Sequence, residues 1–160
     1  DLTKGLDGND DIRGSTGYDC LYGGTGRDDI FGGFDNDNIY GGSGVDELSG
    51  FQGDDLIRAG RGDDVVCDYD RRDLECYGSP FANYRPNMSD VDRVFGGPGN
   101  DQLSAGPGKD RISGGTGDDL VNSLDVEVDR IDCGPGRDVA YIDNRDETKS
   151  CEKVIKRQSR

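Results

Sequence analysis

A nine-residue period governs this chain. Thirteen units of the form Gly-Gly-x-Gly-x-Asp-x-aliphatic-x recur along its 160 residues, with clean copies at 23–31 (GGTGRDDIF), 41–49 (GGSGVDELS) and 114–122 (GGTGDDLVN). A fixed short period specifies a solenoid, in which each repeat contacts only its neighbours and several must stack to bury a core. Units begin at 5, 14, 23, 32, 41, 50 and 59 without a gap. After a break they resume at 87, 96, 105 and 114, then at 124 and 133, with Ser123 as one extra residue. The sixth slot holds Asp10, Asp19, Asp28, Asp37, Asp46, Asp55, Asp64, Asp92, Asp101, Asp110, Asp119, Asp129 and Asp138. The eighth holds Ile12, Leu21, Ile30, Ile39, Leu48, Ile57, Val66, Val94, Leu103, Ile112, Val121, Ile131 and Ala140, all aliphatic.

Composition alone points elsewhere. Only 31% of residues are hydrophobic, 27 are glycine and the net charge is −15, which are features of a disordered chain. Register decides against disorder, because 13 of the 29 aspartates occupy a single slot. Glycine at slots one, two and four is expected to permit positive φ and tight turns with exposed carbonyls. Slots seven to nine are expected to form a very short strand with one inward side chain. Each unit is then half a coil, and residues 18 apart stack. The reading is all-β: one domain over 1–160, a right-handed parallel β-roll with repeats at 5–67 and 87–141. It assigns 68–86 to an insertion loop and 142–160 to a C-terminal cap. Two edges follow, one carrying Asp10, Asp28, Asp46, Asp64, Asp101, Asp119 and Asp138, the other the remaining slot-six aspartates.

Such a roll needs a counter-charge. One aliphatic side chain per nine residues is a thin core against the entropy of ordering the backbone. Carboxylates stacked about 5 Å apart also repel by about 1 kcal/mol even in water. Hard divalent cations are bound by carboxylate and carbonyl oxygens, and flexible carbonyl turns favour calcium over magnesium. Several Ca²⁺ ions are therefore expected between successive turns, their affinity becoming folding free energy. The acidic balance argues against nucleic acid or anionic membrane as partners, and no apolar run reaches the length of a membrane span. With no histidine, neither a zinc-protease motif nor an imidazole-assisted nucleophile can be built, so no enzyme is expected.

These units resemble the hemolysin-type calcium-binding repeat, the "repeats in toxin" (RTX) β-roll, over nearly the whole chain. The resemblance implies calcium between turns i and i+2, held by slot-six aspartates and glycine-turn carbonyls. Carried onto this sequence, the sites lie between Asp10/Asp28, Asp28/Asp46, Asp46/Asp64, Asp19/Asp37, Asp37/Asp55 and Asp101/Asp119. Carbonyl donors would include Gly24, Gly26, Gly42, Gly44, Gly97, Gly99, Gly115 and Gly117. Asp35, Asp90 and Glu127 replace the slot-four glycine, so sites touching Asp92 and Asp129 are expected to be distorted or empty. The CGPG…SCEKV stretch resembles the terminal repeat of secreted bacterial calcium-binding proteins, in which a disulfide closes the roll.

Nearest-neighbour pairing in sequence favours Cys67–Cys76 and Cys133–Cys151, hence an oxidising, extracellular compartment. Cys20 is left over, either as an inert thiol or as a disulfide contact between two copies. A rival to a purely structural or adhesive role is recognition of an extracellular polysaccharide or cell-surface protein. That role would use an outward strip containing Tyr22, Tyr40 and Phe31, with Tyr69, Arg71, Arg72, Tyr77, Phe81, Tyr84 and Arg85 of the insertion.

Overall fold

The computed structural model describes residues 1–67 and 90–157. The Cys67–Cys76 pairing and the insertion 68–86 with its aromatic and basic residues lie outside the described residues. Among the described residues, sixteen strands form two parallel sheets. One stacks β1 (Leu2–Asp7), β3 (Cys20–Thr25), β5 (Asn38–Ser43), β7 (Leu56–Arg61), β9 (Arg93–Pro98), β11 (Arg111–Thr116), β13 (Arg130–Asp132) and β15 (Glu147–Lys149) in that order. The other stacks β2 (Asp11–Thr16), β4 (Asp29–Phe34), β6 (Glu47–Gln52), β8 (Val65–Cys67), β10 (Gln102–Ser104), β12 (Leu120–Ser123), β14 (Val139–Ile142) and β16 (Lys153–Lys156). Consecutive strands alternate between the sheets, so the chain is a parallel β-solenoid with nine residues to each half coil.

Register follows the repeat. Ile12 pairs with Ile30 and Ile30 with Leu48, while Leu21 pairs with Ile39 and Ile39 with Ile57. Across the insertion Ile57 pairs with Val94, and Val66 with Leu103. The added residues leave both sheets in phase, so one roll continues past them. All thirteen slot-eight side chains are buried and form one continuous core. Three strands reach beyond the thirteen units. β1 begins before the first unit and places Thr3 beside Leu21, while β15 and β16 extend the sheets through residues read as a cap, with Thr148 beside Ile131 and Val154 beside Ala140.

Two expectations of backbone geometry are corrected. The strands of the regular repeats are six residues long, not three, because the ladder continues through slots one to three of the next unit, as in Cys20–Thr25. Positive φ falls at slots two and four, such as Gly24 (119°) and Gly26 (129°), and not at slot one. Slot-one glycine is required for room. A Cβ on Gly23, Gly41 or Gly96 would overlap the carboxylate of that unit's own slot-six aspartate and a carbonyl of the next coil. Where slot one carries a side chain, Ala59, Ala105 and Cys133 join the core and Leu124 is half-buried; Ile142, directly after the last unit, joins the core too.

The C-terminal end is closed as expected. Cys133 and Cys151, 18 residues apart with Cα atoms at 5.1 Å, form a disulfide. Closing a loop of that length contributes roughly 3 kcal/mol through the unfolded chain.

Two glycines separate backbone strain from crowding. Gly8 (φ 119°) has open space where a Cβ would sit, whereas a Cβ on Gly42 (φ 122°) would overlap the Gly24 carbonyl. Gly8→Ala should cost about 1–2 kcal/mol, the left-handed backbone penalty. Gly42→Ala should cost about 1–3 kcal/mol more from overpacking. Urea denaturation in saturating calcium checks both values, and equal losses would refute the crowding argument.

Candidate metal centre

Each slot-six aspartate directly precedes a strand, and its side chain points into the roll. All but the half-buried Asp10 are fully buried. One carboxylate oxygen is used structurally, accepting the slot-six backbone N–H of the preceding coil. On the first edge Asp10 N–H donates to Asp28 Oδ1, Asp28 to Asp46 and Asp46 to Asp64, each at 2.9 Å. The series runs on from Asp64 to Asp101, Asp119 and Asp138. On the second edge it runs through Asp19, Asp37, Asp55, Asp92, Asp110 and Asp129. The alternation expected from spacing is therefore the one observed.

Sequence reasoning missed how these rows end. Asp129 N–H donates to Asp146 Oδ1 at 3.1 Å, and Asp138 N–H to Glu152 Oε2 at 2.8 Å. Asp146 and Glu152 thus occupy the sixth slot of two further half coils. Their units lack the glycines and have shortened spacing; the surviving signal was an acid two places before Thr148 and Val154. Slot five was missed as well. Asn9, Asn36, Asp54, Asp63, Asn100 and Asp118 each accept, through Oδ1, the slot-five N–H of the following coil. The slot-four exceptions Asp35 and Asp90 accept the backbone N–H of Gly17 and Gly53. Asp35 also takes positive φ (72°), as an aspartate can.

The other carboxylate oxygen has no such role. Among the described residues, Oδ2 is buried without a hydrogen-bond partner in Asp10, Asp19, Asp28, Asp37, Asp46, Asp55, Asp64, Asp101, Asp110, Asp119 and Asp138. Desolvation, reinforced by neighbouring carboxylates, pushes the Asp37, Asp46 and Asp119 carboxyls up to about 6. The same causes bring Asp101 to about 7, Asp55 to about 8 and Asp110 to about 9. A cation beside these oxygens would offset this penalty by supplying opposite charge.

The glycine carbonyls face the gap between coils. A Cβ on Gly42, Gly60, Gly115 or Gly134 would overlap the carbonyl oxygen of Gly24, Gly42, Gly97 or Gly115 respectively. The slot-four series does the same, Gly44, Gly62, Gly117 and Gly136 meeting the carbonyls of Gly26, Gly44, Gly99 and Gly117. Carboxylate and carbonyl oxygens are the donors a hard cation requires, and the unpartnered Oδ2 atoms fit its chemistry.

The outer aromatic strip is internally occupied. Tyr22 and Tyr40 stack with ring centroids 4.6 Å apart, with Lys4 over the Tyr22 ring and Arg58 over the Tyr40 ring. The ring faces thus meet each other and the flanking cations. Cys20, half-buried, donates to the Tyr22 hydroxyl at 3.4 Å. Among the described residues no helix is long and apolar enough to cross a membrane.

Fold and site together define a parallel β-solenoid with rows of buried carboxylates beside glycine turns, an architecture suited to oxygen-coordinated cations. The comparison with protein families agrees: residues 4–39, 31–66 and 88–121 match the RTX calcium-binding nonapeptide repeat. The chain belongs to that family, whose repeats bind calcium in a β-roll. No curated protein and no solved structure matches it significantly.

The buried acids fix a pH response for the metal-free chain. Their folded pKa values, about 6 to about 9, lie above the roughly 3.9 of an unfolded aspartate. Folding therefore takes up protons. The stabilisation is full below about pH 4 and is lost as pH rises through about 6 to 9. Far-UV circular dichroism in chelator should show more β signal at pH 5 than at pH 8, and a flat or opposite profile would contradict the burial of unpaired carboxylates.

Proposed function

We propose that this chain is a secreted calcium-loaded β-roll, a structural or adhesive module that folds on meeting calcium. The observation carrying this reading is the row of buried, unpartnered Oδ2 atoms, repeated coil after coil beside glycine carbonyls. Asp10, Asp19, Asp28, Asp37, Asp46, Asp55, Asp64, Asp101, Asp110, Asp119 and Asp138 would hold the ions through Oδ2. Asp92 and Asp129 would complete the second edge. The carbonyls of Gly24, Gly26, Gly42, Gly44, Gly97, Gly99, Gly115 and Gly117 would supply neutral donors.

The residues have a clear division of labour in this proposal. Oδ1 ties each carboxylate to the preceding coil, orienting the group before any ion arrives. Oδ2 is held out of water, where its charge is most costly alone and most valuable opposite a cation. When bound, calcium neutralises adjoining carboxylates and joins successive coils. Extracellular calcium modules bind at about 10⁻⁴–10⁻³ M, so a chain of this kind would stay open at intracellular calcium and close outside. The Cys133–Cys151 disulfide is consistent with an oxidising compartment.

Calcium titration from chelator, followed by far-UV circular dichroism with magnesium as control, tests the reading. A cooperative gain of β signal with calcium alone is expected. Asp46→Ala, which removes a carboxylate standing between Asp28 and Asp64, should raise the calcium midpoint several-fold. Asp11→Ala, an exposed acid paired only with Arg13, should leave it unchanged. Full β signal in chelator at neutral pH, or equal effects of the two substitutions, would overturn the proposal.

A further inference from the structure

The unit at 124–132 departs most from the repeat, and its departures converge on one place. Slot two, glycine in most units, is Asp125, and slot four is Glu127. One oxygen from each of Asp110, Asp125 and Asp129 lies within 4.8 Å of the others; among the described residues this is the only such convergence of three metal-ligating side chains. Asp110 is 2% exposed and Asp129 fully buried. Both Asp110 Oδ2 and Asp125 Oδ2 are shut off from solvent without a hydrogen-bond partner. No lysine or arginine pairs with any of the three among the described residues.

From this we infer that Asp125 turns the end of the second edge into a three-carboxylate calcium site, distinct in donor set from the repeat sites. In a regular half-site the slot-two contribution is a neutral carbonyl; here the same slot brings a full negative charge. The remaining oxygens of the group are committed elsewhere. Asp110 Oδ1 accepts the Asp92 N–H, Asp129 Oδ1 the Asp110 N–H, Asp129 Oδ2 the Ser123 hydroxyl, and Asp125 Oδ1 the Glu127 N–H. That leaves Asp110 Oδ2 and Asp125 Oδ2 as the unpartnered oxygens of the cluster. Calcium affinity rises with the number of charged ligands, so this site fills before the repeat sites as calcium rises. It lies next to the disulfide-closed end, the Asp129 N–H being held by Asp146 of the following coil.

The inference rests on the calcium reading above, and the test separates the two. The full chain is titrated with calcium by calorimetry, and its residual ions are counted by native mass spectrometry at limiting free calcium. The wild type should retain one ion when the others have left. Asp125→Asn, which keeps an oxygen for the Glu127 N–H, should lose that ion and weaken the tightest binding by about tenfold or more. Asp125→Gly, which restores the residue common at slot two, should do the same and guards against misfolding of the first variant. Asp46→Asn should weaken the later ions and leave the first in place. A first ion bound equally well by wild type and both Asp125 variants would overturn this inference alone. A wild type that takes up no calcium would overturn the calcium reading with it.

Discussion

A carboxylate sealed from water with one oxygen unpartnered is among the most costly groups a protein can bury, and this roll repeats it coil after coil. The backbone ladder, the glycine turns and the aliphatic core all bring the slot-six aspartate inward: it directly precedes a strand, and slot-one glycine leaves it room. The lysine and arginine ion pairs Arg13–Asp11, Arg130–Glu147 and Lys149–Asp132 lie outside the rows, and the N-terminal amine sits beside Asp19. The solenoid and the acidic rows that suit a cation are therefore one design. The backbone that stacks the coils also buries the carboxylates.

The two oxygens of each aspartate divide structure from chemistry. Oδ1 is an acceptor for the coil before, so it fixes the rotamer and the spacing even without metal. Oδ2 inherits the consequence, being held where it cannot turn to water. Slot five completes the picture with an opposite ladder, in which asparagine or aspartate accepts from the coil after. Where slot five is asparagine or aspartate, side chains tie the turn in both directions, beside backbone bonds such as Gly26 N–H to the Ser43 carbonyl, and together these keep turns of so little apolar content in one geometry.

Much of this was legible in the sequence because period and slot determine geometry in a solenoid. The two edges, the continuity across the insertion, the aliphatic columns and the Cys133–Cys151 closure all follow from counting residues. Counting failed where a residue's role depends on contacts and not on position. Slot-one glycine looked like a conformational requirement, yet it is a spatial one. Asp146 and Glu152 carry no glycine signature, so their place at the end of the rows was hidden until the N–H groups of Asp129 and Asp138 were seen to need acceptors. The unit at 124–132 read as damaged, whereas Asp125 joins a carboxylate group that the repeat pattern does not describe.

All strands in the roll run parallel, and every slot-six bond points from one coil to the next in the same sense. The two ends of the stack are consequently different surfaces. β1 and β2 stand at one extreme of the two sheet orders, and β15 and β16, beside the disulfide, at the other. A symmetric pairing of like ends would set parallel sheets against each other in opposite directions and break the ladder's sense. Head-to-tail joining preserves it, and a contact of that kind extends as a filament unless its rotation closes a ring. β15 and β16, with Lys149, Lys153 and Lys156, are charged strands, and charge along a strand disfavours pairing with another chain.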